Sequence, residues 1–121
     1  AGVVLIKEGA TSDMTLISTA QTAQTAPTKA HLVFTYTNGA GTAVLGTNIT
    51  AEVSMDNGST YTNLSIGASD SQGTTGGHTI VTKNDVSLTS TSGTSMRYRI
   101  KTLVQGVAME SRIHAVSLGW S

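Results

Sequence analysis

The feature that most constrains the fold is a two-residue alternation that recurs along the chain and is cut each time by a turn signal. In Asn48–Met55, Ile49, Ala51, Val53 and Met55 point one way and Thr50, Glu52 and Ser54 the other. That is the period of a strand with one buried face. Ala30–Thr37 places Leu32, Phe34 and Tyr36 on one face, and Ser95–Leu103 does the same with Met96, Tyr98 and Ile100. Ser111–Trp120 carries His114, Val116, Leu118 and Trp120 on one face and Ile113, Ala115 and Ser117 on the other. Asp56-Asn57-Gly58 is a strong hairpin signal, because Asn and Gly tolerate the positive φ of tight turns. Tyr61–Ile66 is its return strand. Gly67–Gly77 reads as a Gly/Ser/Thr loop, and Ser90–Thr94 as another turn. His78–Val81 and Asp85–Thr89 read as two short strands or one strand with a bulge. With Met14–Ala20 there are seven or eight short strands and no helical period. The pattern predicts an all-β, two-sheet antiparallel sandwich, jelly-roll-like, with an immunoglobulin-like sandwich not separable by pattern alone.

Composition agrees. Ser and Thr supply 35 of the 121 residues, and β-branched Thr fits a pleated surface better than a helix. Residues 1–29 differ from the rest. They open with an apolar patch, Val3 to Ile6, and run into the low-complexity stretch Ser18–Ala30, which has no large apolar residue. They read as an N-terminal arm and first strand lying along a surface or another subunit, followed by the sandwich over 30–121, one domain overall.

Seven Lys/Arg balance seven Asp/Glu, which argues against nucleic-acid and polybasic membrane-surface partners, since both need excess positive charge. No apolar run reaches the roughly 18 residues of a membrane span. The chain has no Cys, so it holds no disulfide, thiolate nucleophile or zinc–thiolate site.

Ser54-Met-Asp56-Asn-Gly58-Ser-Thr60-Tyr61 follows the S-x-D-x-G-x-x-aromatic pattern of an Asp box, a structural hairpin. In it the Asp accepts backbone N–H bonds, Gly takes the turn and the aromatic packs beneath. A calcium loop would need further oxygen ligands and a terminal bidentate Glu, which do not follow. His31, His78 and His114 show no zinc-ligand spacing and no G-x-S-x-G nucleophile accompanies them; only His78, at a loop edge after Gly76-Gly77, is placed as a site residue would be. The carboxylates are scattered singly, with no glycosidase pair. The sequence predicts no enzyme, metal or cofactor. The concentrated basic feature is Arg97, Arg99 and Lys101, alternating opposite Met96, Tyr98 and Ile100, with Arg112 expected nearby. It is a candidate anion or subunit contact, weighed against a solvated face that deters edge aggregation.

The segments TLIST (15–19), KAHLVFTY (29–36), ITAEVSMDNGSTYTNLSI (49–66), DVSLTSTSGTSMRYRIKTL (85–103) and SRIHAVSLGWS (111–121) resemble a β-sandwich module of tailed-bacteriophage virion surface proteins. Such modules form the C-terminal parts of tail and fibre proteins, and small decoration-type proteins. The resemblance implies a virion location and a sandwich fold, and defines no catalytic or ligand residues. By family analogy it also implies a homotrimer. If the chain starts at Ala1 after loss of an initiator Met, a small capsid decoration (cement) protein bound to the major capsid protein is the expectation. Its arm would then lie across the lattice. If it is a fragment, a tail-fibre module binding host glycan gains, through the loops Asn38–Thr47 and Gly67–Gly77 with Tyr61 or His78.

Overall fold

The computed structural model describes residues 12–121, so the Val3–Ile6 patch lies outside the described residues. The strands are β1 (Met14–Ile17), β2 (Gln21–Thr22), β3 (Lys29–Ala40), β4 (Ile49–Ser54), β5 (Thr62–Asn63), β6 (Ser71–Thr75), β7 (His78–Ser87), β8 (Ser95–Thr102) and β9 (Glu110–Trp120). They form two antiparallel sheets packed as a sandwich. One has the order β1-β8-β4-β5, with β2 also on β8; the other has the order β6-β7-β3-β9.

The alternation does what the sequence predicts. Ala30, Leu32, Phe34 and Tyr36 of β3 are buried, as are Ile49, Ala51 and Val53 of β4 and Met96, Tyr98 and Ile100 of β8. Each large side chain in this shared core contributes about 1.5–3 kcal/mol of burial free energy. Thr102 is buried too, and its hydroxyl oxygen accepts a bond from the Met14 amide at 2.9 Å.

Two local features differ from the sequence reading, and a third decides between its alternatives in favour of one strand with a bulge. Gly67–Gly77 is not an open loop: a single 3-10 turn at Ala68–Asp70 leads into β6, which pairs with β7 across the Gly76-Gly77 turn. His78–Ser87 is one strand, and the irregularity falls at Asp85, whose φ is 56°. There the Asp85 amide donates to His31 Nδ1 at 3.1 Å.

In β9 the register shifts between the pairs Phe34–Val116 and Tyr36–Ile113. This bulge corrects the expected faces: Ile113 is buried with Tyr36, and His114 is displaced from the row of Val116, Leu118 and Trp120. The Ala115 amide within the bulge donates to Thr35 Oγ1 at 3.3 Å.

The described part of the expected arm has a place on its own chain. β1 and β2 form a broken edge strand along β8. Between them the Ser18 amide donates to the Tyr98 carbonyl at 3.1 Å, and Ser18 Oγ accepts from the Tyr98 amide at 3.0 Å. Main-chain pairing holds a stretch that has few apolar side chains to bury.

Candidate functional site

The Asp-box hairpin is built as its residues dictate. Ser54 Oγ accepts from the Gly58 amide at 2.8 Å and donates to Asp56 Oδ1 at 2.7 Å. Asp56 Oδ1 accepts the Thr60 amide at 2.8 Å, and Oδ2 accepts the Thr60 hydroxyl. These bonds, Thr60's first and then Ser54's, hold the Asp56 carboxyl down to about 2. Asn57 and Gly58 take φ of 62° and 92°, the left-handed region that the turn requires. Every strong acceptor of Asp56 is thus spent inside its own turn. The hairpin is tied to the next strand by the Asn57 amide, which donates to the Ser95 carbonyl at 3.0 Å.

The basic stripe lies on the outer face of β8 beside this hairpin. Glu52 of β4, opposite Arg99 in the ladder, accepts from Arg99 Nε at 3.0 Å and Nη2 at 2.8 Å. Lys101 stands 3.6 Å from the same carboxylate. The Arg99 guanidinium also lies 3.7 Å from the centre of the Tyr61 ring, a cation–π contact. Burial raises the Glu52 pKa, but the Arg99 bonds and charge and the Lys101 charge outweigh it and leave the carboxyl below its usual range. Arg97 donates to Asn57 Oδ1 at 2.9 Å and to the Ser18 carbonyl at 2.8 Å, both neutral acceptors. Arg99 is therefore committed within the fold, while among the described residues Arg97 faces only neutral acceptors and Lys101 shares the Glu52 carboxylate with Arg99. Arg112 does not join them: it sits on β9 in the opposite sheet, 3.1 Å from Glu110.

The histidines divide. His31 contacts Ser121 Oγ at 3.2 Å and Asp85 Oδ1 at 3.8 Å. His78 and His114 meet across the other sheet with ring centres 4.2 Å apart, and His114 Nε2 lies 2.7 Å from Thr37 Oγ1. Burial first, then the neighbouring His78 and Arg112, lowers the His114 pKa. The β9 bulge makes this pairing, which alternation alone does not foresee. Among the described residues, no three His, Asp or Glu side chains gather as a metal-binding group.

One surface is not singled out by the sequence. Val44, Val104 and Val107 are 56%, 71% and 91% exposed, on two loops that share one end of the sandwich. Asn48 ties those loops: its Oδ1 accepts from the Val44 amide at 2.9 Å and its Nδ2 donates to the Leu103 carbonyl at 3.2 Å. A Cβ on Gly41 would sit 2.4 Å from the Ala108 carbonyl, so the second contact between the loops leaves room only for glycine. Val104 has φ of 57°, a conformation that β-branched residues rarely adopt. Strain of this kind persists where the surrounding structure imposes it, and it collects at functional surfaces. The sequence hint is slight: a pair of valines, Val104 and Val107, flanking Gly106 beyond the end of an alternating run.

No family model, no curated protein and no solved structure matches this chain.

Proposed function

We propose that this chain is a non-enzymatic structural protein of a bacteriophage virion surface, a head decoration protein that docks on the capsid lattice and stabilises it. The observation that carries the reading is the loop end bearing Val44, Val104 and Val107, an exposed apolar surface held rigid by Asn48 and by the Gly41 contact. Apolar side chains grouped on neighbouring loops of an otherwise Ser/Thr-rich surface suit attachment to another protein. The partner is the major capsid protein, and a homotrimer multiplies modest contacts into avidity over the lattice. Arg97 and Lys101 supply a rim contact to acidic groups of a neighbouring subunit.

The resemblance of the strand segments to phage surface modules supports the same reading. The alternative, a fibre module that binds host glycan, draws less support: one face of Tyr61, its candidate sugar platform, is occupied by Arg99.

Cosedimentation with purified heads stripped of this protein tests the proposal. The unaltered chain should pellet with heads, and a Val104→Asp, Val107→Asp double variant should remain in the supernatant while keeping its β circular dichroism. Equal pelleting of both would refute the docking face. Binding to a glycan array, without binding to heads, would favour the fibre reading.

A further inference from the structure

Two histidines from strands separated by a third meet on the outer face of the second sheet. β3 lies between β7 and β9, and Tyr36 of β3 pairs with Thr79 on one side and with Ile113 on the other. His78 and His114 are the chain neighbours of those two partners. Tyr36 and Ile113 are buried, so side chains one residue along turn to the opposite face. Strands two apart in a sheet lie about 9.5 Å from each other. The ring centres are nevertheless only 4.2 Å apart, with the planes inclined at 58°. Both side chains therefore lean over β3 to meet.

The β9 bulge makes the meeting possible. Between the pairs Phe34–Val116 and Tyr36–Ile113, β9 has one residue more than β3, and a bulge of this kind re-aims a side chain. The Ala115 amide turns to Thr35 Oγ1 at 3.3 Å, and His114 Nε2 comes to 2.7 Å from Thr37 Oγ1. With the Nε2 proton donated to that hydroxyl, the free lone pair of the ring is on Nδ1. An imidazole fixed through one nitrogen and offering the other is the form in which proteins present His to a metal. Two imidazoles that share one tetrahedral zinc, at about 2.0–2.1 Å from each nitrogen, have ring centres about 5 Å apart. Spreading the rings from 4.2 Å takes a shift of about 1 Å, within small side-chain rotations. The cation on that face is balanced: Arg112, opposite Thr37 in the ladder, lies 3.1 Å from Glu110.

We propose that His78 and His114 form a two-imidazole site for a divalent transition metal of the zinc class, bridging β7 to β9 across β3. Imidazole nitrogen suits Zn²⁺, Ni²⁺ and Cu²⁺, whereas Mg²⁺ and Ca²⁺ prefer oxygen. Water fills the positions that the two rings leave, so the metal adds a cross-link to the sheet and exchanges with solution. The histidines lie far apart in sequence and are joined by the register of β3, which is why no ligand spacing shows them. The site stands or falls independently of the decoration reading.

A zinc titration of the unaltered full chain, followed by NMR of the imidazole rings at about pH 7.5 where imidazole is mostly neutral, tests it. The His78 and His114 signals should shift together and saturate at one zinc per chain, with His31 unmoved. No shift, a shift at only one of the pair, or equal shifts at all three histidines, as adventitious binding gives, would overturn the proposal. His78→Gln and His114→Gln should each raise the Kd for zinc at least about tenfold, while His31→Gln leaves it unchanged. Unchanged zinc affinity in either variant of the pair, with the β circular dichroism intact, contradicts the site. Excess Mg²⁺ should not displace the zinc; displacement would contradict the assigned metal class.

Discussion

Arg99 and Glu52 face each other across the β8–β4 ladder and make a two-pronged ion pair, with N–O distances of 3.0 and 2.8 Å, roofed by the Tyr61 ring. Both side chains are mostly shielded, at 23% and 15% exposure. The pair joins the two central strands of the sheet to the Asp-box hairpin. Replacing Glu52 by Gln removes charge from one partner and leaves Arg99 half-buried. Discounted for the remaining water contact, the loss is about 1–2 kcal/mol, readable as a lower urea midpoint. Arg99→Ala should likewise lower stability without altering head binding. Arg97→Ala with Lys101→Ala should lower stability modestly, through the lost Arg97 bonds to Asn57 and Ser18, and weaken head binding while the β circular dichroism is kept.

Acid should loosen the same region. The Asp56 carboxyl is held at about 2 against an ordinary value of 3.8, and Glu52 is also lowered. A carboxylate with a depressed folded pKa contributes stability above its unfolded pKa and loses it as pH falls through the folded one. The melting temperature should therefore drop between about pH 4 and pH 2. Asp56→Asn should melt lower at neutral pH and show a shallower acid dependence. An unchanged acid slope would show that the Thr60 bonds do not act as described.

His114 gives the opposite residue type and its own window. Its folded pKa is lowered from 6.5, by burial and then by His78 and Arg112. The folded state then binds fewer protons than the unfolded chain, so stability decreases as pH falls from about 6.5 toward the folded value. His78→Ala should raise the His114 pKa only in part, because burial remains; an NMR titration of the His114 ring reads this directly.

Strain at Val104 gives a stability test separate from docking. Asn tolerates the left-handed region, so Val104→Asn should raise the unfolding free energy by about 1 kcal/mol. Val107, at 91% exposure, should accept Asp with no change in unfolding free energy. Either change should reduce cosedimentation with heads.

Much of the fold is legible in the chain because one-sided burial writes itself as a period of two. Ile49, Ala51 and Val53, or Met96, Tyr98 and Ile100, declare their strands without reference to any partner. The Asp box is legible because its bonds are local. β6 is hidden because Ser71–Thr75 buries nothing and is held by main-chain pairing alone. The β9 bulge is hidden for another reason: one extra residue there answers to the register of β3, not to anything in β9 itself. It moves His114 out of the Val116 row and beside His78. The valine-bearing loops are equally obscure, since Val44 and Val104 are linked through Asn48 and Leu103, positions far apart in sequence.

The most direct test of the central claim is immunogold electron microscopy of intact particles with an antibody to this chain. Label spread over the head is the predicted result and would direct attention to the valine-bearing loops as the lattice contact. Label confined to the tail or its fibres, or no label on any particle, would contradict the decoration reading.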